Sequence, residues 1–154
     1  FGLEASSLVL PTVYGPRGGF SEMSHVIGAL IGKFVRAVEN GDELVEVWGD
    51  GSQEREFIHV DDVVDALLLV SDQPVRSDVL NLGSSQSTSI RQLIEIIREC
   101  VSFEGEVIFN RDRFVGARKR VLDSRKISDE YGWQPRIELR EGIKEVVDWY
   151  RSTL

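Results

Sequence analysis

Within Arg55–Asp72, REFIHVDDVVDALLLVSD, the apolar spacing changes from alternation to a helical repeat with no Gly or Pro between the two. A chain that passes straight from extended to helical backbone lays a helix on the end of a strand, which restricts it to the mixed fold classes. The same alternation runs along the rest of the sequence. SSLVL, VEVW, REFIHV, DVLNLG and GEVIFN read as strands, with GDGS as the turn between the second and third. Helical spacing marks Ser24–Glu39, DDVVDALLLVSD, SIRQLIEIIREC, SRKISDEYG and LREGIKEVVDWYRS, while PTVYGPRGG carries the punctuation of a loop. Ser24 and Asp61 are the expected N-caps of the first two helices, and Ser89 with Gln92 forms a capping box for the third. The class is α/β, or α+β for the chain taken alone. The first strand, SSLVL, has no partner close by in sequence.

Charge and cysteine usage narrow the function classes. Eighteen basic against 26 acidic side chains leave a net charge of -8, which repels a phosphate backbone and argues against a nucleic-acid partner. One cysteine, Cys100, cannot form an internal disulfide and fits a reducing compartment; its spacing from Leu93, Ile94 and Ile97 reads as core. No apolar run reaches the roughly 20 residues that span a bilayer. The expectation is a soluble, cytoplasmic chain that folds as a single region over residues 1–154, with no low-complexity segment or linker to divide it.

Three stretches carry candidate chemistry. In SEMSHVIGALIGKFVRAVENG, Val26, Ile27, Leu30, Ile31, Phe34, Val35 and Val38 share one helical arc, with His25, Ala29, Gly32, Lys33 and Arg36 opposite. His25 is either a surface residue beside the cap or an acid/base group, since the positive helix end disfavours an imidazolium. Gly28 and Gly32 suggest that something approaches this face closely. In VWGDGSQEREFIHVDD, Arg55 beside Trp48 across a short turn could hold a phosphate and stack a base or sugar, although an Arg between two Glu also reads as a solvated strand residue. His59 reads as a structural histidine. Two histidines and one cysteine lie too far apart for a metal site, so none is expected. The third stretch runs from Arg111 to Lys126. It contains Arg111, Arg113, Arg118, Lys119, Arg120, Arg125 and Lys126, a basic segment that could draw in a small anion or simply be solvated.

In order, VYGPRGGF, SHVIGALIGKF, VWGDGSQEREFIHVDDVVDAL, LNLGS, SIRQLIEII, FEGEVIF and YGWQPRIELREGIKEVVDWY resemble the C-terminal half of the extended short-chain dehydrogenase/reductases that act on nucleotide sugars. VYGP and REFIHVDD are common to epimerases and dehydratases of that family, whereas SHVI followed by KF and then VWG is particular to its GDP-L-fucose synthase branch. The resemblance implies an acid/base role for His25 and contacts to a nucleoside-diphosphate sugar from Lys33, Trp48 and Arg55. It implies that Leu10, Pro11, Thr12 and Val13 pass the nicotinamide of NADP or NAD. It also implies a homodimeric parent, with residues 1–20 as the residual edge of a Rossmann domain. Thr12, Gly28 and Val115 depart from the branch's pattern, where Asn, Pro and an acidic residue are usual.

The Gly-rich dinucleotide fingerprint and the Tyr-x-x-x-Lys pair of that family are absent from these 154 residues. The expectation is therefore a C-terminal fragment that binds substrate, holds no cofactor alone and is inactive as isolated. Its parent is a reductase/epimerase acting on GDP-4-keto-6-deoxy-mannose. The alternatives are the same half of a 4-epimerase or 4,6-dehydratase, or a non-catalytic nucleotide-sugar-binding module.

Overall fold

The computed structural model describes residues 4–76, 79–112 and 116–154, so Arg113 and Val115 lie outside the described residues. Along the chain come β1 (Ser7–Val9), β2 (Thr12–Tyr14), α1 (Val26–Asn40), β3 (Leu44–Trp48), β4 (Glu54–Arg55), β5 (Phe57–His59) and α2 (Val60–Ser71). They are followed by β6 (Val79–Asn81), β7 (Thr88–Ser89), α3 (Ile90–Val101), β8 (Glu106–Asn110), β9 (Lys119–Arg120), α4 (Arg125–Tyr131) and α5 (Leu139–Arg151). This is a mixed α/β fold. β1 pairs in parallel with β6, β2 with β5 and β3 with β8, while β4 lies between antiparallel β7 and parallel β9. Parallel pairs need crossover connections, and α1, α2 and α3 lie within them.

Two apolar clusters hold these ladders together. In the larger, Ile31 and Phe34 of α1 meet Leu93, Ile94 and Ile97 of α3 and Ile143 and Val147 of α5, all of them at 0% exposure. The smaller joins Ile58, Val63, Ala66 and Val70 to Leu80, Leu82, Ile127 and Trp133. Cys100 is half-buried against the larger cluster, as its spacing predicts, and burial pushes its thiol up.

Several local expectations are corrected. PTVYGPRGG is not all loop, because Thr12–Tyr14 pairs with Phe57–His59. VEVW and REFIHV, read as two strands on either side of the GDGS turn, do not pair with each other: the first pairs with β8, and the second divides at Glu56. That carboxylate is 2% exposed and accepts from the backbone N–H groups of Ser85 and Leu122, each at 2.6 Å. A buried charge with two such donors fastens two loops to the strand break.

Helix starts shift as well. His59, not Asp61, caps α2, with its Nδ1 accepting from Asp61 N–H at 3.3 Å. Asp62 turns inward to accept from Arg136 N–H (2.9 Å) and Ile137 N–H (3.2 Å), tying the helix to the segment before α5. The structural reading of His59 agrees with its 1% exposure. The Ser89–Gln92 capping box is present as expected. At α1, Ser24 is not the cap. Its hydroxyl accepts from Ser21 N–H, and His25 takes the cap position in extended backbone, its carbonyl receiving the first helical bond from Ala29 N–H. Gly41, at φ 71°, closes the helix, a left-handed turn that an L side chain resists.

Candidate functional site

Residues 15–20 fold across the start of α1. A Cβ on Gly28 would lie 2.0 Å from the Gly19 carbonyl oxygen, and one on Gly32 would lie 2.1 Å from that of Phe20. The close approach that the two glycines signal is therefore made by the chain's own backbone. Arg36 Nη1 donates to the Phe20 carbonyl at 3.3 Å, and the Phe20 ring stacks on Tyr150 with centroids 4.1 Å apart. Gly15 lies flat on Val60, where a Cβ would come within 2.4 Å of a side-chain carbon. This strap is held from α1, α2 and α5.

Beneath it is a cavity of about 230 Å³ lined by Thr12, Val13, Gly15, His25 and Gly28 among others. Thr12 and Val13 thus share a cavity with His25, whereas Leu10 and Pro11 are not part of its lining. His25 is exposed, and no side chain caps the helix it begins. The first-turn N–H groups of α1, which have no partner within a helix, stand beside the imidazole.

On the next face of α1 a groove of about 590 Å³ runs between the helix and β3. Val26, Ala29, Leu30 and Val47 give it an apolar lining, and Trp48, 54% exposed, contributes the indole. Lys33 lies in the same groove and donates from Nζ to the Glu46 carbonyl at 2.6 Å. Lys33 and Trp48 are brought together, with His25 at the head of the helix that carries Lys33.

Arg55 does not line that groove. It sits on β4, in register with Thr88 of β7 and Arg120 of β9, and its Nη1 donates to the Glu54 carbonyl at 2.7 Å. The basic segment returns here. Lys119 pairs with Glu54 at 2.7 Å, so Lys119 and Arg120 of the segment sit on the ladder that carries Arg55, while Arg125 and Lys126 open α4. That pairing holds the half-buried Glu54 carboxyl below its ordinary range through the Lys119 and Ser87 hydrogen bonds. In the turn between β3 and β4, Asp50 Oδ1 accepts from Ser52 N–H, Ser52 Oγ and Gln53 Nε2, and the Ser52 bonds hold this carboxyl low too. The turn is therefore ordered from within.

Sequence reasoning did not identify Tyr14 and Glu56. Tyr14 is 7% exposed, its ring meets His59 edge-on at 5.3 Å, and burial drives its phenol pKa far above the ordinary value. An acid between an arginine and an apolar run was the only signal for Glu56. Among the described residues no cluster of His, Cys, Asp and Glu could hold a metal ion, and no helix is long and apolar enough to cross a membrane.

The sequence pattern of the NAD dependent epimerase/dehydratase family matches residues 1–83, which include His25, Lys33, Trp48 and Arg55. GDP-L-fucose synthase 1 of Arabidopsis thaliana is 40% identical over 97% of this chain and 46% of its own length. The fold superposes on UDP-glucose 4-epimerase from Thermotoga maritima, solved with UDP-glucose, at a TM-score of 0.87, with 32% identity over 99% of this chain and 47% of that one. A GDP-L-fucose synthetase from Naegleria fowleri gives the same TM-score of 0.87 at 25% identity, over 96% and 46%. The chain spans about half the length of these relatives.

Proposed function

The chain belongs to the NAD dependent epimerase/dehydratase family, and from that premise we propose that it is the substrate-binding part of a nucleotide-sugar epimerase/reductase of the GDP-L-fucose synthase kind. In this reading it works on GDP-4-keto-6-deoxy-mannose in a longer, homodimeric protein whose other half holds NADP or NAD. The observation that carries the reading is the groove between α1 and β3, where Lys33, on a helix whose cap position is His25, meets Trp48.

Each residue has a part in this reading. Trp48 offers an aromatic face to base or sugar. Lys33, now on a backbone carbonyl, turns to the diphosphate, and Arg55 with Arg120 adds cationic charge from the neighbouring ladder. His25 takes and returns a proton at a carbon next to the keto group. The uncapped N-terminus of α1 favours the negative charge that develops there.

The fit to a dinucleotide is partial. Thr12 and Val13 give the His25 cavity an edge against which a nicotinamide ring can lie, but no glycine-rich phosphate cradle exists in the sequence. Bound there, the nicotinamide supplies hydride. Residues 1–20 then serve as the edge of the dinucleotide-binding domain.

Titration of the chain with GDP-mannose, followed by tryptophan fluorescence, tests the reading. Weak binding without turnover is expected, and Lys33→Ala should weaken it roughly 10- to 100-fold, the worth of a charge-assisted hydrogen bond. Absence of binding, or binding indifferent to Lys33→Ala and Trp48→Ala, contradicts it. The Thermotoga similarity makes UDP-glucose the comparison ligand, since preference for it favours the 4-epimerase reading.

A further inference from the structure

The groove between α1 and β3 contains a carboxylate that the proposed function leaves unused. Glu46 and Trp48 are two residues apart on β3, so both side chains stand off the same face of the strand, and both are exposed. Asn110, paired with Trp48 across the β3–β8 ladder, donates from Nδ2 to Glu46 Oε1 at 3.1 Å. That bond fixes the carboxylate beside the indole. The Lys33 ammonium is held at the carbonyl of the same residue, in the plane of the strand rather than off its face. One wall of the groove thus carries a cation at the strand's edge, an aromatic plate, and a fixed anion standing next to the plate.

A carboxylate in a site for a diphosphate repels the phosphates, so it belongs where the ligand is uncharged and rich in donors. Ionised, it can only accept, through two oxygens about as far apart as two adjacent N–H groups. Among the common bases, guanine alone presents two adjacent donors, N1–H and the N2 amino group, on one edge. Uracil offers a single N–H flanked by two carbonyl oxygens, which a carboxylate repels; adenine and cytosine place a ring nitrogen acceptor beside their amino group. Resting on the nucleotide-sugar reading above, we propose that Glu46 selects the base: with the ring lying on Trp48, its carboxylate receives the two donors of guanine and rejects uracil. A site built to satisfy donors discriminates more strongly than one shaped only by apolar contact.

Calorimetric titration of the chain with GDP, inosine diphosphate and UDP tests the assignment. GDP should bind roughly 10- to 100-fold more tightly than UDP, with inosine diphosphate, which lacks the amino donor, in between. Glu46→Gln, a change at an exposed position, should lower GDP affinity and raise UDP affinity, because the amide no longer repels the uracil carbonyls, shrinking the ratio by a comparable factor. Asn110→Ala, which frees the carboxylate without removing it, should shrink the ratio less. If UDP binds as well as GDP, or if Glu46→Gln weakens both equally, the assignment to Glu46 is overturned and the nucleotide-sugar reading stands. If no nucleoside diphosphate binds, that reading falls and this assignment with it.

Discussion

Around α1, α3 and α5 the molecule closes over its own apolar residues, and even the strap of residues 15–20 is fastened by the Phe20–Tyr150 stack. The end built from β1, β6, α2 and α4 is packed on the inside, with Leu80, Leu82 and Ile127 at 0% exposure, yet its outer surface carries Val64, Leu67, Leu68 and Val79 at 45–59% exposure. Val64, Leu67 and Leu68, three and four residues apart on α2, share one helix face, and an apolar face in water is a place where something else packs. The groove belongs to the first region. Its geometry therefore rests on contacts that this chain makes with itself, while the second region has apolar area left to bury.

The sharpest way to break the comparison is to open the first core. Phe34→Ala removes a ring at 0% exposure, and about 3–5 kcal/mol of stability should go with it, read by urea unfolding. Nucleotide binding should disappear together with the fold. Gly28→Ala drives a methyl group into the Gly19 carbonyl and should cost about 1–3 kcal/mol. Because the strap roofs the His25 cavity, the displacement should also alter the chemical shifts of the His25 ring, whereas the shifts of Trp48 in the neighbouring groove should change less.

In the second region the expected effects are smaller. Leu68→Lys, at a position 59% exposed, should change stability by no more than about 0.5 kcal/mol and reduce binding of a hydrophobic dye. A loss of several kcal/mol would show that this surface is already covered. The smallest effect concerns Asp123 at the start of α4, whose carboxyl the Arg125 hydrogen bonds hold down at about 2. A folded value below the unfolded one stabilises the native state above the unfolded value, and that stabilisation is lost as pH falls through the folded one. The stability difference between wild type and Asp123→Asn should thus narrow from pH 4 to about 2 and be constant above pH 5.

The same contrast explains what the sequence reveals about the fold. Helical faces such as Ile27, Ile31 and Phe34 are legible because burial follows the period of a single element. The Ser89–Gln92 box is legible because both members lie within one turn. Pairings that join distant segments are not: nothing near Glu56 announces Ser85 or Leu122 as donors, and nothing in the basic segment announces that Lys119–Arg120 will lie along β4. The candidate site divides in the same way. Lys33 and Trp48 are named by the family resemblance, and helix phase adds only that Lys33 stands opposite the core stripe, while the separation of Arg55 from them arises from long-range pairing, β3 with β8 and β4 with β7 and β9.

The most direct test of the groove as the ligand site is amide hydrogen exchange with and without GDP-mannose. The first-turn N–H groups at Val26–Gly28 have no partner four residues back and exchange readily until a ligand covers them. The account predicts slower exchange there and along Glu46–Trp48 on saturation, with α2 and β6 unchanged. Slowing centred on α2 and β6, or none at the start of α1 while the ligand is bound, would contradict it.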